Sequence, residues 1–126
     1  MKFKSILAAI AFLPLASAYA DDCPTLLEKV ERAEGQVSYA EDGYNTAQRR
    51  VRGAQVSIDR FSEAMARDKE AGDTKAYNLA VRKYNAAVDN MKMRRAEYQQ
   101  KSNEYQASID RFNELVDKFN ARCATN

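Results

Sequence analysis

The 126-residue chain has no histidine and no tryptophan, and only two cysteines, two prolines and four glycines. Without histidine it lacks the side chain that most often moves protons near neutral pH, and with it the commonest metal ligand. Cys23 and Cys123 stand a hundred residues apart, far from any zinc or redox spacing. As an even pair they read as one disulfide, which removes the reactive thiol as well. Carboxylate pairs such as Asp59 and Glu63 lie at helical spacing among other charges, where they are ordinarily solvated. Isolated helical acids also lack the clustering that oxygen-seeking cations need. These absences point away from catalysis: the expectation is a protein that is not an enzyme and uses no cofactor and no metal.

Long apolar runs are also scarce. The one that exists, residues 6 to 15, follows Lys2 and Lys4 and precedes Ala18-Tyr19-Ala20. That is the form of an export leader, and its apolar core is too short to span a bilayer. The reading predicts a cleaved signal peptide over 1–20 and a single domain over 21–126, periplasmic or secreted, with no transmembrane segment. Asp22 before Cys23 does not fit a lipid-modified cysteine. An oxidising compartment would preserve the disulfide. Lys2 and Lys4 account for the whole formal charge of +2, which leaves 18 basic and 18 acidic residues in 21–126. The basic pI therefore gives no argument for nucleic acid as a partner.

Helix breakers are confined to a few places. Pro14 falls in the leader and Pro24 beside Cys23; after residue 25 only glycine interrupts, and no β-branched run suggests a strand. Ala71-Gly72-Asp73-Thr74 divides what remains into two helices, predicted over 24–70 and 74–122. Gly72 suits the position just past a helix end, and Asp73 and Thr74 suit the start of the next. Thr25-Leu26-Leu27-Glu28 has the form of a capping box.

Heptads specify the packing. In the first helix Val30, Val37, Tyr44, Val51, Ile58 and Met65 form one row, extended forward by Cys23, and Ala33, Ala40, Ala47, Ala54 and Phe61 form the second. In the second helix Tyr77, Tyr84, Met91, Tyr98, Tyr105, Phe112 and Phe119 recur every seven residues beside Val81, Val88, Ile109 and Val116. Folding at the turn places Ala33 opposite Phe112, Ala40 opposite Tyr105, Ala47 opposite Tyr98 and Ala54 opposite Met91. A large side chain thus faces an alanine, as close interdigitation requires. The same fold brings Cys23 to Cys123. The expected class is all-α: an antiparallel two-helix coiled-coil hairpin closed by a terminal disulfide, with an apolar stripe on the second helix wide enough to favour a homodimer of the four-helix kind. Gly43, after Glu41 and Asp42, marks the expected place for any kink.

Two further features bear on function. Ser57-Ile58-Asp59-Arg60-Phe61 recurs as Ser108-Ile109-Asp110-Arg111-Phe112, consistent with either an old duplication or similar demands at two seam positions. Arg49, Arg50 and Arg52 fall beside Lys92, Arg94 and Arg95 in the hairpin register, a girdle of six cations suited to an anionic partner, with Asp89 and Glu97 near enough to answer some of them. The tyrosines at 77, 84, 98 and 105 read chiefly as core, with hydroxyls reaching water. The expected function is an exported protein-binding or structural module of the bacterial envelope. Alternatives are a periplasmic holdase-type chaperone or an immunity or inhibitor protein for one secreted effector.

Overall fold

The structure, a computed structural model, describes residues 22 to 124; the predicted leader lies outside these residues. Two helices make up nearly all of them: α1, Asp22–Glu70, and α2, Thr74–Cys123. They form a disulfide-closed antiparallel hairpin, with Cys23 bonded to Cys123 and their Cα atoms 5.7 Å apart.

One residue serves both helix ends at the turn. Gly72 has φ of 70°, the left-handed conformation that costs glycine nothing. It allows the Gly72 amide to donate to the Lys69 carbonyl at 3.2 Å and the Asp73 amide to donate to the Asp68 carbonyl at 3.0 Å. This is the Schellman pattern that satisfies the last carbonyls of a helix. Asp73 then opens α2: its carbonyl accepts from the Tyr77 amide at 2.9 Å, and its Oδ1 accepts from the Ala76 amide at 2.9 Å. Asp73 is thus the N-cap, and Thr74 is the first helical residue.

The capping box expected at Thr25 and Glu28 does not form. α1 begins at Asp22, ahead of Thr25, and the Glu28 carboxylate accepts from Arg32 at 2.6 Å. Pro24 permits the earlier start, because a first-turn residue needs no N–H. α1 also runs unbroken through Gly43. The alkyl stem of Lys101 packs beside Gly43, where a Cβ would meet Lys101 Cδ at 3.4 Å, an ordinary contact distance.

The chain divides into two compact units. The first, over residues 22–42 and 103–124, encloses large side chains, with Val30, Val37 and Ile109 each 1 % exposed and Ala33, Tyr105, Phe112 and Val116 also buried, while Leu26, Leu27, Leu115 and Phe119 are half-buried. The second, Gly43–Ser102, encloses only small side chains and one methionine: Ala47, Ala54, Ala80, Ala87 and Met91. Among its larger apolar residues Val51, Ile58, Phe61, Tyr77, Val81, Tyr84 and Val88 are half-buried, and Val56, Leu79 and Met93 are exposed. Size matching explains part of the contrast. The large-small pairs Ala33 with Phe112 and Ala54 with Met91 are buried on both sides, whereas the large-large pair Phe61 with Tyr84 is half-buried on both. The broad stripe on α2 is therefore covered around Ile109 and Val116 and half-open around Val81 and Val88.

Candidate functional site

All six girdle cations belong to the Gly43–Ser102 unit, and the structure gives them different surroundings. Glu97 is the centre of the arrangement. One of its carboxylate oxygens takes an ion pair from Arg50 across the hairpin, and the other accepts from Arg94, one helical turn earlier in α2, at 3.1 Å. The hydrogen bond from Arg94, helped by the charge of Arg50, holds the Glu97 carboxyl below the usual glutamate range against a desolvation that pushes it up. Lys92 lies 3.5 Å from Asp89, and Arg49 donates to Thr46 Oγ1 at 2.9 Å. Arg52 and Arg95 are exposed and have no hydrogen-bond or ion-pair partner among the described residues. The structure thus brings together Arg50, Arg94 and Glu97, and leaves Arg52 and Arg95, together with Arg49 whose hydrogen bond is to the neutral Thr46 hydroxyl, with no acidic partner among the described residues.

The aromatic residues nearby are built into the seam. Tyr44 and Tyr98 face each other with ring centroids 5.3 Å apart and hydroxyls hydrogen-bonded at 3.0 Å. That bond, with desolvation, pushes Tyr98 ionisation above the usual tyrosine range. Towards the turn, Arg60 and Lys83 approach the Phe61 ring at 5.9 and 6.0 Å from its centroid, within cation–π range. An open groove of about 420 Å³ runs there between Phe61, Ala64, Leu79 and Ala80.

The local repeat produces repeated bonds. Gln55 donates to Asp59 at 2.9 Å, and Gln106 donates to Asp110 at 2.8 Å. The surroundings differ, however: Ile109 and Phe112 are enclosed, while Ile58 and Phe61 are half-buried.

Sequence reasoning anticipated that Glu97 and Asp89 would answer part of the girdle. It did not find the Tyr44–Tyr98 pair, the seat of Lys101 beside Gly43, or the distribution of charge by folded half. Counted by arm, residues 21–70 carry 11 acidic and 8 basic side chains and residues 71–126 carry 7 and 10, a modest difference. Counted by unit, residues 43–102 carry 7 acidic and 13 basic side chains, net +6. Residues 22–42 and 103–124 carry 10 acidic and 5 basic, net −5. The signal was present in the sequence and needed only the hairpin register to expose it.

Among the described residues no group of three or more histidine, cysteine, aspartate or glutamate side chains could hold a metal ion, and no helix is long and apolar enough to cross a membrane. Comparison of the chain with protein-family models, curated proteins and solved structures finds no match.

Proposed function

We propose that this chain is an exported, non-enzymatic helical-hairpin module that binds protein in the bacterial envelope through its Gly43–Ser102 half. The observation that carries the reading is the coincidence, in that one half, of a net charge of +6 with a seam whose large apolar side chains remain half-exposed. Arginine beside exposed apolar and aromatic surface is the composition of protein interfaces, and the positive field favours an acidic partner face. The leader-like residues 1–20 and the Cys23–Cys123 disulfide support an oxidising location, periplasmic or secreted. The half-open row of Val51, Ile58, Val81 and Val88 supports self-association, since a second hairpin would cover it as a four-helix arrangement.

The test is affinity capture from envelope extract with the oxidised protein, run beside an Arg52→Glu, Arg95→Glu variant. These two positions are chosen because reversing Arg50 or Arg94 would also release Glu97. A stoichiometric partner held by the wild type and lost by the variant is the expected result. A partner retained by the variant overturns the site. Many substoichiometric clients, bound equally by both, would instead indicate a holdase.

A further inference from the structure

We infer that the Gly43–Ser102 unit receives, laid lengthwise between its two helical segments, an amphipathic helix of a partner protein that carries acids beside its apolar face. This rests on the acidic-partner reading above and adds the groove that receives the partner and the form that fits it.

The seam of this unit is offset. On α2 the small side chains Ala80 and Ala87 are buried, while Val81 and Val88, their larger neighbours in the chain, stay half-open. On α1 Ala47 and Ala54 are buried, while Val51 and Ile58, one turn further on, stay half-open. In the other unit the members of these same rows, Val30 and Val37 on α1 and Ile109 and Val116 on α2, are themselves buried.

Both half-open rows border one edge of the unit. The opposite edge is marked by the ion pair of Arg50 with Glu97 and by the stem of Lys101 beside Gly43. Gly43 and Arg50 share a face of α1, and Glu97 and Lys101 share a face of α2, by their heptad and four-residue spacing. At about 100° per residue, the buried Ala54 on α1 and Met91 on α2 lie between that edge and the two half-open rows. Val51, Ile58, Val81 and Val88 therefore line a shallow groove on the other side.

Charge indicates what covers it. Arg95 stands in the same row as Val81 and Val88 and is exposed, and Arg52, next to Val51, is exposed at the same level. None of the seven acids of the unit stands in either row or four residues beyond a member of one. At the margin, Asp59 is engaged by Gln55 and Asp89 by Lys92. The groove is thus apolar towards the turn and cationic towards the girdle. Helices dock in such grooves by their apolar face, and one whose acids reach Arg52 and Arg95 also answers the charge. From Val81 to Arg95 the strip is about 21 Å long, so about four helical turns of partner would cover it. A second hairpin docked by this same strip would bring its own cations to a surface without acids, and is the poorer complement.

Titration of the oxidised protein with two synthetic helical peptides of about 18 residues tests this. Both carry the same leucine stripe, flanked by glutamate in one and by lysine in the other. The glutamate peptide is expected to bind at least about tenfold more tightly, with the difference shrinking in high salt. Nuclear magnetic resonance shifts on binding are expected to centre on residues 51–58 and 81–95. Arg52→Glu, Arg95→Glu should weaken the glutamate peptide at least about tenfold, and Val81→Ser, Val88→Ser should weaken both peptides, with circular dichroism confirming that each variant stays helical. Equal affinity for the two peptides, binding of neither, shifts centred elsewhere, or a second copy of the chain seated on these valines would each overturn the helix-in-groove inference. The wider reading is judged separately by the capture experiment above: a stoichiometric partner lost with Arg52 and Arg95 would leave it standing.

Discussion

Replacing both cysteines by serine should destabilise this protein as a whole and not merely loosen its ends. The bond joins residues separated by 100 positions, so it encloses almost all of the described chain. In the chain-entropy account, closing a loop of about 100 residues removes about 4.7 kcal/mol of freedom from the unfolded ensemble. For a domain of this size about 1 kcal/mol moves the midpoint by 4–8 °C, so the Cys23→Ser, Cys123→Ser protein should melt at least roughly 20 °C lower. Urea and thermal melts followed by circular dichroism at 222 nm would measure the loss, with both proteins at the same low micromolar concentration because association itself adds apparent stability. The competing view is that the bond only stops α1 and α2 from fraying where Cys23 and Cys123 meet. In that case hydrogen exchange would quicken only near residues 22–30 and 116–123. A loss of global stability below about 1 kcal/mol, with such a confined change, would refute the entropic reasoning.

Three other outcomes follow from particular residues. Gly35→Ala and Gly53→Ala should each raise stability by about 0.5–1 kcal/mol, because the added Cβ meets nothing within 4 Å and helix entropy improves, whereas Gly72→Ala, at φ of 70°, should lower it by about 1 kcal/mol; calorimetric midpoints would show opposite signs. Asp73→Ala should cost about 1 kcal/mol through loss of the bond to the Ala76 amide, and Asp73→Asn should retain most of it, measured by urea titration. Because the Glu97 and Glu114 carboxyls are held below their ordinary 4.5, by Arg94 with Arg50 and by Lys118 respectively, their contribution is present above that pH and fades as pH falls through the lowered values. Melting midpoints of Glu97→Gln should therefore vary less with pH below about 4.5 than those of the wild type, and identical slopes would show that the Arg50–Glu97–Arg94 clasp contributes nothing.

Most of the architecture was legible because it rests on periodicity and on two local signals. The heptad rows place Val30, Val37, Ile109 and Val116 in the core whatever else happens, since rotating either helix would expose the whole row at once. Gly72 and Asp73 mark the turn by conformations that few other residues adopt as cheaply. The cysteines then confirm the register independently. Less was legible at the candidate site, for a physical reason: heptad position says which face a residue occupies, not how completely its opposite number covers it. Ile58 and Ile109 occupy equivalent places in matching five-residue segments, yet only Ile109 is enclosed. Nor does a run of cations show which are already answered. Arg50, Arg52 and Arg95 look equivalent in sequence, and only the placement of Glu97 separates the first from the other two. At the amino end of α1 a favourable local motif lost to context: Thr25 and Glu28 fit a cap, but the helix starts earlier at Asp22, where Pro24 is tolerated in the first turn.

Asp73, which ends one helix and begins the next, leaves the connection without a spare residue, and this constrains how the protein can vary in length. Each residue added or removed within either helix would rotate everything beyond it by about 100° and carry one heptad row off the seam. A loss from one helix alone would also carry Cys23 away from Cys123. Related chains of different length should therefore differ by whole heptads removed in equal number from both helices, on matched sides of the turn. Single-residue insertions should be found at the turn or outside the loop that the disulfide closes, not within either helix.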